Sequence, residues 1–210
     1  MEDIRQTVHW LGHSAFRLEL PSGTAVYIDP YMLDPEAKKA DVILITHGHA
    51  DHFSPADIAR IAGKNTRLFG PETLKGKVGG DFTALKPGGS AEPLGIAINA
   101  VPAYNIGKRF HPIDAGNLGY VVAAGGLRVY HAGDTDLIPE MAGLKADVAL
   151  LPVGGTYTMD AVEACRAAQA IKPKAAVPMH YGSVVGSKED ALRFKNLCGV
   201  CEVLILPKEK

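Results

Sequence analysis

The segment Thr46-His47-Gly48-His49-Ala50-Asp51-His52 constrains this chain more than any other, because it follows directly on the apolar run Val42-Ile43-Leu44-Ile45. A continuous run of this kind is expected of a strand buried on both faces. Packing does not explain three histidines and one aspartate within the six residues 47–52. Neutral imidazoles and carboxylates are the donor set for zinc, manganese or iron. Residues two apart in an extended segment point the same way, so His47 and His49 can grip one ion together. Asp51 and His52 lie beyond, at the turn into a helix, where they can hold a second.

Two more strand ends carry donors. Tyr130-His131-Ala132-Gly133-Asp134-Thr135-Asp136 follows an apolar run. Asp134 can bridge two metals with its two oxygens. Asp136 is the alternative, but Asp134 is nearer the strand end and Gly133 permits close backbone approach. Val177-Pro178-Met179-His180-Tyr181-Gly182 again ends a strand in a histidine. The cysteines, Cys165, Cys198 and Cys201, are an odd and sparse set that makes no disulfide framework. Cys198-Gly199-Val200-Cys201 is a lone CxxC without a second pair, read as two partly buried thiols beside a terminal strand. An open metal site that keeps water is expected rather than a thiolate-rich structural one.

The surrounding pattern supplies a frame. Short apolar runs at 8–11, 15–20 and 25–28 read as strands, the last two joined by the turn Pro21-Ser22-Gly23-Thr24. A helix starts after Ser54, with Pro55 at its first position and Gly63 at its exit. Further strands are expected at 67–69, 96–98, 118–122, 127–130, 148–151 and 175–178, with Gly125-Gly126 as a hairpin turn. Helices are expected near 137–144, 159–171 and 187–197, the last with Ser187 and Asp190 as a capping box. Strands come first, then strands mixed with helices, twice over. That order predicts an α+β chain: two mixed sheets face to face, helices on the outer faces, and a site at one end of the strands.

The 210 residues fit one domain, 1–210. A net charge of −1 with no long basic cluster argues against nucleic acid or an anionic membrane surface as partner. No apolar run approaches the ~20 residues of a membrane helix. No secretory signal is visible after Met1, so a cytoplasmic protein acting on a small-molecule substrate is expected. Self-association into a homo-oligomer is left open.

Taken together, His47-x-His49-x-Asp51-His52, Gly133-Asp134-Thr135 and Met179-His180 resemble the metallo-β-lactamase superfamily in its HxHxDH hydrolase form. Trp10-Leu11-Gly12-His13-Ser14 and Ile28-Asp29-Pro30 resemble its opening strands, and the resemblance covers essentially the whole chain. It is similar to the small metal-dependent hydrolases related to ascorbate-phosphate lactonase and N-acyl-phosphatidylethanolamine phospholipase D. The resemblance implies an αβ/βα four-layer sandwich with a two-metal site. His47 and His49 would bind one metal, Asp51 and His52 the other; Asp134 would bridge, and His180 would complete the second metal's set of ligands. Zinc is expected first, with manganese, iron or nickel as alternatives.

One departure stands out. Those relatives carry a third histidine for the first metal after a Pro-Ala-like strand end. Here Val101-Pro102-Ala103-Tyr104-Asn105 puts Asn105 in that place. His111, in Phe110-His111-Pro112, is the expected replacement; the other reading leaves it lining the pocket or on the surface. Asn105, His13, Tyr157 and Tyr181 are expected to contact substrate, and His131 to orient a ligand or the backbone.

The implied chemistry is hydrolysis of a phosphodiester or a lactone-type ester by a metal-activated water, with Asp51 or Asp134 accepting the proton. Three rivals are weighed. Di-iron redox relatives carry Glu where this chain has Gly48, and a flavin domain. Nucleases of the fold carry a large inserted domain. A non-catalytic metal-binding protein stays in play through Asn105.

Overall fold

The computed structural model describes residues 2–124 and 126–209. Its first sheet takes the strands in chain order: β1 (Val8–Gly12), β2 (Ala15–Glu19), β3 (Ala25–Ile28), β4 (Val42–Leu44), β5 (Arg67–Pro71) and β6 (Asp81–Leu85). The pairs from β1 to β3 are antiparallel and those from β3 to β6 parallel. The second sheet is also in chain order: β7 (Ser90–Ala91), β8 (Ile98–Pro102), β9 (Leu118–Ala124), β10 (Leu127–His131), β11 (Val148–Pro152), β12 (Ala175–Met179) and β13 (Glu202–Val203). It runs antiparallel from β7 to β10 and parallel from β10 to β13. The helices are α1 (Glu2–Thr7), α2 (Pro55–Ile61), α3 (Ala161–Ile171) and α4 (Lys188–Leu197).

The apolar run of β4 explains how the layers meet. Val42 and Leu44 join Val26 and Ile28 in one core with Tyr120, Val122, Val129 and Leu150 of the second sheet. Ile43, pointing the other way, packs with Tyr27 of β3 and with Ile58 and Ile61 of α2. The strand is buried on both faces because one face meets a sheet and the other a helix. Two mixed sheets with few helices make this an α+β fold of the expected kind.

Some boundaries differ from expectation. The strand sought at 96–98 starts only at Ile98, because Pro93–Gly95 forms a 3₁₀ turn with Leu94 at φ +53. The helix sought at 137–144 is a 3₁₀ turn, Pro139–Gly143, and Leu144 is already extended. Pro139 and Gly143 leave too few residues between them for an α-helix to propagate. α2 is capped by Ser54, whose hydroxyl accepts from the Asp57 amide, and its last residue is Ile61, with the extended Ala62 closing it before Gly63. α3 begins at Ala161 rather than at 159, with Asp160 as its cap. In α4 the Asp190 carboxylate accepts from the Ser187 amide at 2.8 Å. Gly125 of the expected hairpin turn lies outside the described residues, but β9 and β10 pair antiparallel with Val122 opposite Val129.

The end of the chain ties down β1. The Glu209 amide donates to the Trp10 carbonyl at 2.8 Å, and its carboxylate accepts from Arg17 at 2.6 Å. The three thiols are free, with Cys165 and Cys198 buried. Burial pushes the Cys201 thiol up to about 12, which makes it a poor nucleophile. Among the described residues no helix is long and apolar enough to cross a membrane.

Candidate metal centre

The donors lie beyond the carboxyl ends of strands from both sheets. His13 follows β1, His47 follows β4, Asp134 follows β10 and His180 follows β12. His49, Asp51 and His52 come from the turn that leads to α2, and His111 from the loop between β8 and β9. Two groups form. In one, donor atoms of His47, His49, His111 and Asp134 lie within 4.8 Å of one another; in the other, those of His13, Asp51, His52 and His180 do.

Asp134 sits between the groups. Its Oδ2 is 3.1 Å from His180 Nε2, 3.4 Å from His111 Nε2 and 3.8 Å from His47 Nε2. Its Oδ1 is 3.2 Å from His52 Nε2. Gly133 makes this reach possible: it holds φ +65, and a Cβ there would lie 2.7 Å from the Leu118 carbonyl. Of the two aspartates, Asp134 belongs to a donor group and Asp136 does not. Asp136 instead accepts from the Ile106 amide and the Lys108 ammonium.

The donor set fits divalent cations. His49 Nδ1 lies 3.0 Å from both His47 Nε2 and His111 Nε2, and one proton cannot satisfy that convergence of ring nitrogens. His52 Nε2, Asp134 Oδ1 and His180 Nε2 are buried with no well-aligned hydrogen-bond partner. Buried polar atoms are ordinarily paired, so orphans pointing at common centres are what a small cation would satisfy.

Supporting residues fix the rings. Asp29, fully buried, faces His52 Nδ1 at 2.7 Å, and its carboxylate also accepts from the Thr46 amide at 2.7 Å and hydroxyl at 2.6 Å. With its proton given to Asp29, the Thr46 hydroxyl accepts from His47 Nδ1 at 3.0 Å, leaving His47 Nε2 free. Such a carboxylate behind a donor histidine sets tautomer and orientation. The sequence reading missed Asp29 as part of the site; the available signal was a carboxylate at a strand end before Pro30. His131 donates through Nε2 to the Ser14 carbonyl and accepts the Gly133 amide at Nδ1, so it holds the backbone leading into Asp134.

The electrostatics follow from burial and neighbours. Burial, reinforced by nearby His52, holds the His47 imidazole well below its ordinary value and keeps it neutral. Burial opposes charge on Asp134, but His52 and His180 outweigh it and hold that carboxyl well below the usual range. Burial likewise opposes charge on His52, and Asp134 and Asp29 override it, raising that imidazole well above its ordinary value. Burial lowers both His111 and His13.

The remaining expected residues fall in different places. His111, taken as the replacement donor, is buried and belongs to the first group. Asn105 is buried and does not line the cavity over the donors; its amide nitrogen reaches the Phe110 carbonyl at 3.0 Å and the Tyr157 carbonyl at 2.6 Å. Tyr157 lines that cavity with His49, Asp51, His111, Asp134 and His180. Tyr181 does not; it stacks on Trp10 at 4.9 Å beside a smaller cavity. His13, expected to contact substrate, is buried with Nε2 3.1 Å from Asp51 Oδ2. Several of these residues hold strained backbones: His13, Asp29, His111 and His180 have φ from +49 to +58.

Known proteins share this fold. Residues 7–180 match the beta-lactamase superfamily domain. A metal-dependent hydrolase from Thermoplasma acidophilum is 36% identical over 226 residues, covering 100% of this chain and 97% of that one. Another, from Archaeoglobus fulgidus, is 35% identical and covers 90% and 88%. The crystal structure of a metal-dependent hydrolase from Parabacteroides distasonis superimposes with a TM-score of 0.83 at 34% identity, covering 97% and 93% of the two chains. A metallo hydrolase from Ignicoccus hospitalis gives 0.78 at 29%, covering 97% and 95%. With its sheets, its strand-end donors and its relatives in agreement, this chain belongs to the metallo-β-lactamase superfamily, among its metal-dependent hydrolases.

Proposed function

We propose that the chain holds two divalent cations, zinc foremost, and hydrolyses a small-molecule phosphodiester or lactone-type ester. The observation that carries this reading is the position of Asp134, whose two oxygens face both donor groups on the floor of an open cavity. His47, His49 and His111 would hold one cation, Asp51, His52 and His180 the other, and Asp134 both. Such a pair supplies Lewis acidity, making hydroxide available near neutral pH and stabilising charge that builds on the scissile oxygen.

The protein's own residues do the rest. Asp29 and Thr46 keep His52 and His47 in register before substrate arrives, so little reorganisation is needed during reaction. His13 steadies Asp51 at 3.1 Å. The Asp51 side chain is 20% exposed and Asp134 only 3%, so Asp51 is the carboxylate placed to take a proton from the attacking water. The net reaction adds the elements of water across one ester bond and needs no serine or cysteine nucleophile.

The test is metal analysis of the purified protein together with an activity screen on phosphodiesters and lactones, before and after chelation. Hydrolysis that disappears on chelation and returns with zinc is expected. Undiminished hydrolysis by metal-free protein would refute the reading.

A further inference from the structure

The cavity over the donors encloses about 290 Å³, near the lower end of ligand pockets at roughly 300–1,000 Å³. Its floor is polar, but one wall is not. Phe110 and Tyr157 meet edge to face with ring centroids 5.1 Å apart, and Val184 comes in from a third loop. These three residues are 41%, 37% and 52% exposed. Three large apolar groups from three loops turned toward one reaction cavity form a surface that an apolar ligand would cover.

The wall is held in place. The Asn105 amide nitrogen donates to the carbonyls of both Phe110 and Tyr157 and so ties their loops together. A wall fixed in advance costs a ligand less ordering entropy. Its charge is equally selective, since no lysine or arginine among the described residues lines the cavity. The Lys108 ammonium is spent on Asp136 and the Thr158 carbonyl. The Arg109 guanidinium lies 5.8 Å from the centre of the Phe110 ring and is not part of the lining.

We infer that this wall selects the substrate: an uncharged carboxylic ester or lactone whose apolar acyl or alkyl group lies against Phe110, Tyr157 and Val184. A phosphodiester joining polar groups would leave the wall uncovered. The inference rests on reading the donor groups as a hydrolytic centre. In the reaction, the water oxygen bonds to the carbonyl carbon, the acyl C–O bond breaks, and one proton of the water ends on the leaving oxygen. No oxidant or reductant is required.

The experiment uses the full chain reconstituted with zinc. Rates are compared for p-nitrophenyl esters from acetate to hexanoate, for γ-lactones of matching alkyl length, and for bis(p-nitrophenyl) phosphate. Binding of acetate and hexanoate is measured in parallel by calorimetry. kcat/KM should rise about fourfold per methylene until the wall is covered, and esters should outrun the phosphodiester. Hexanoate should bind more tightly than acetate, with a more negative heat-capacity change. Phe110→Ala and Val184→Ser, both at exposed positions, should lower the hexanoate ester at least about tenfold more than the acetate ester. Rates independent of chain length, or the phosphodiester as the preferred substrate, would overturn the inference, as would equal binding of the two acids. If hexanoate binding depends on Phe110 while no compound is hydrolysed, the hydrolytic reading fails and the apolar wall stands.

Discussion

The amide of His180 donates to the carbonyl of His13 at 2.9 Å, and both residues hold left-handed backbone conformations, φ +57 and +50. The Trp10 indole donates to the same carbonyl at 2.9 Å. One oxygen on the first sheet therefore anchors a donor loop of the second. Gly154 lets the loops close, since a Cβ there would lie 2.6 Å from the His180 carbonyl. Strain of about 1–3 kcal/mol at each such residue persists only when the surroundings over-determine it.

That strain is measurable. His13→Ala and His13→Gly both remove the imidazole beside Asp51, but only glycine adopts φ +50 without penalty. The glycine variant should be the more stable by about 1 kcal/mol in urea titrations, and both should bind metal more weakly than the parent. Equal stabilities would mean that this backbone is unstrained.

Asp134→Ala removes the carboxylate that faces both donor groups. The folded variant should lose at least one metal ion per chain by elemental analysis. Circular dichroism establishes that it folds. Unchanged metal content would remove Asp134 from its bridging role.

His111 and His9 make a matched pair of histidines. His111 Nε2 is 3.0 Å from His49 Nδ1, while His9 pairs with Glu209 at the end of the chain. His111→Ala should weaken metal binding at least about tenfold in competition with a chromogenic chelator, the lower end for loss of support around a metal. His9→Ala should leave it within about twofold. Asn105→Ala, which frees the carbonyls of Phe110 and Tyr157, should cost about 1–3 kcal/mol of stability.

The raised His52 value sets a pH dependence for the metal-free protein. Burial opposes its charge, and Asp134 and Asp29 override that. Because its folded value lies above the unfolded one, the stabilisation is fully present below about pH 6.5 and is lost as pH rises through the folded value. A metal at Nε2 must displace that proton, so binding should strengthen with pH. The melting-temperature gap between loaded and metal-free protein should therefore widen from about pH 6 to pH 8. Calorimetry in buffers of different ionisation enthalpy should show protons released on loading. No release at neutral pH would mean that His52 is already neutral.

Asp29→Asn keeps the shape behind His52 but removes the charge 2.7 Å from its Nδ1. Metal affinity should fall about 10- to 100-fold, as is typical when the partner of a donor histidine is changed. An unaltered affinity would reduce Asp29 to a structural link with Thr46.

The sequence by itself determined the frame and three of the four donors in each group. The run Val42–Ile45 announces a strand buried on both faces, and His47, His49, Asp51 and His52 follow it within seven residues. Gly133-Asp134 and Met179-His180 announce themselves in the same way, because strand periodicity and turn chemistry are local signals. The elements least visible in the sequence are short: α1 spans six residues and β13 two. Such pieces do not persist alone, and tertiary packing, with Ile4 buried in the core, is what forms them. Tertiary structure alone also decided where His13 and His111 stand, since each meets its group only through loops separated by 38 and 62 residues from Asp51 and His49. The same holds for Asp29 behind His52 and for the wall made by Phe110, Tyr157 and Val184. Strand register across two sheets brings those loops to one edge, and register is a property of the assembled sheets rather than of any segment within them.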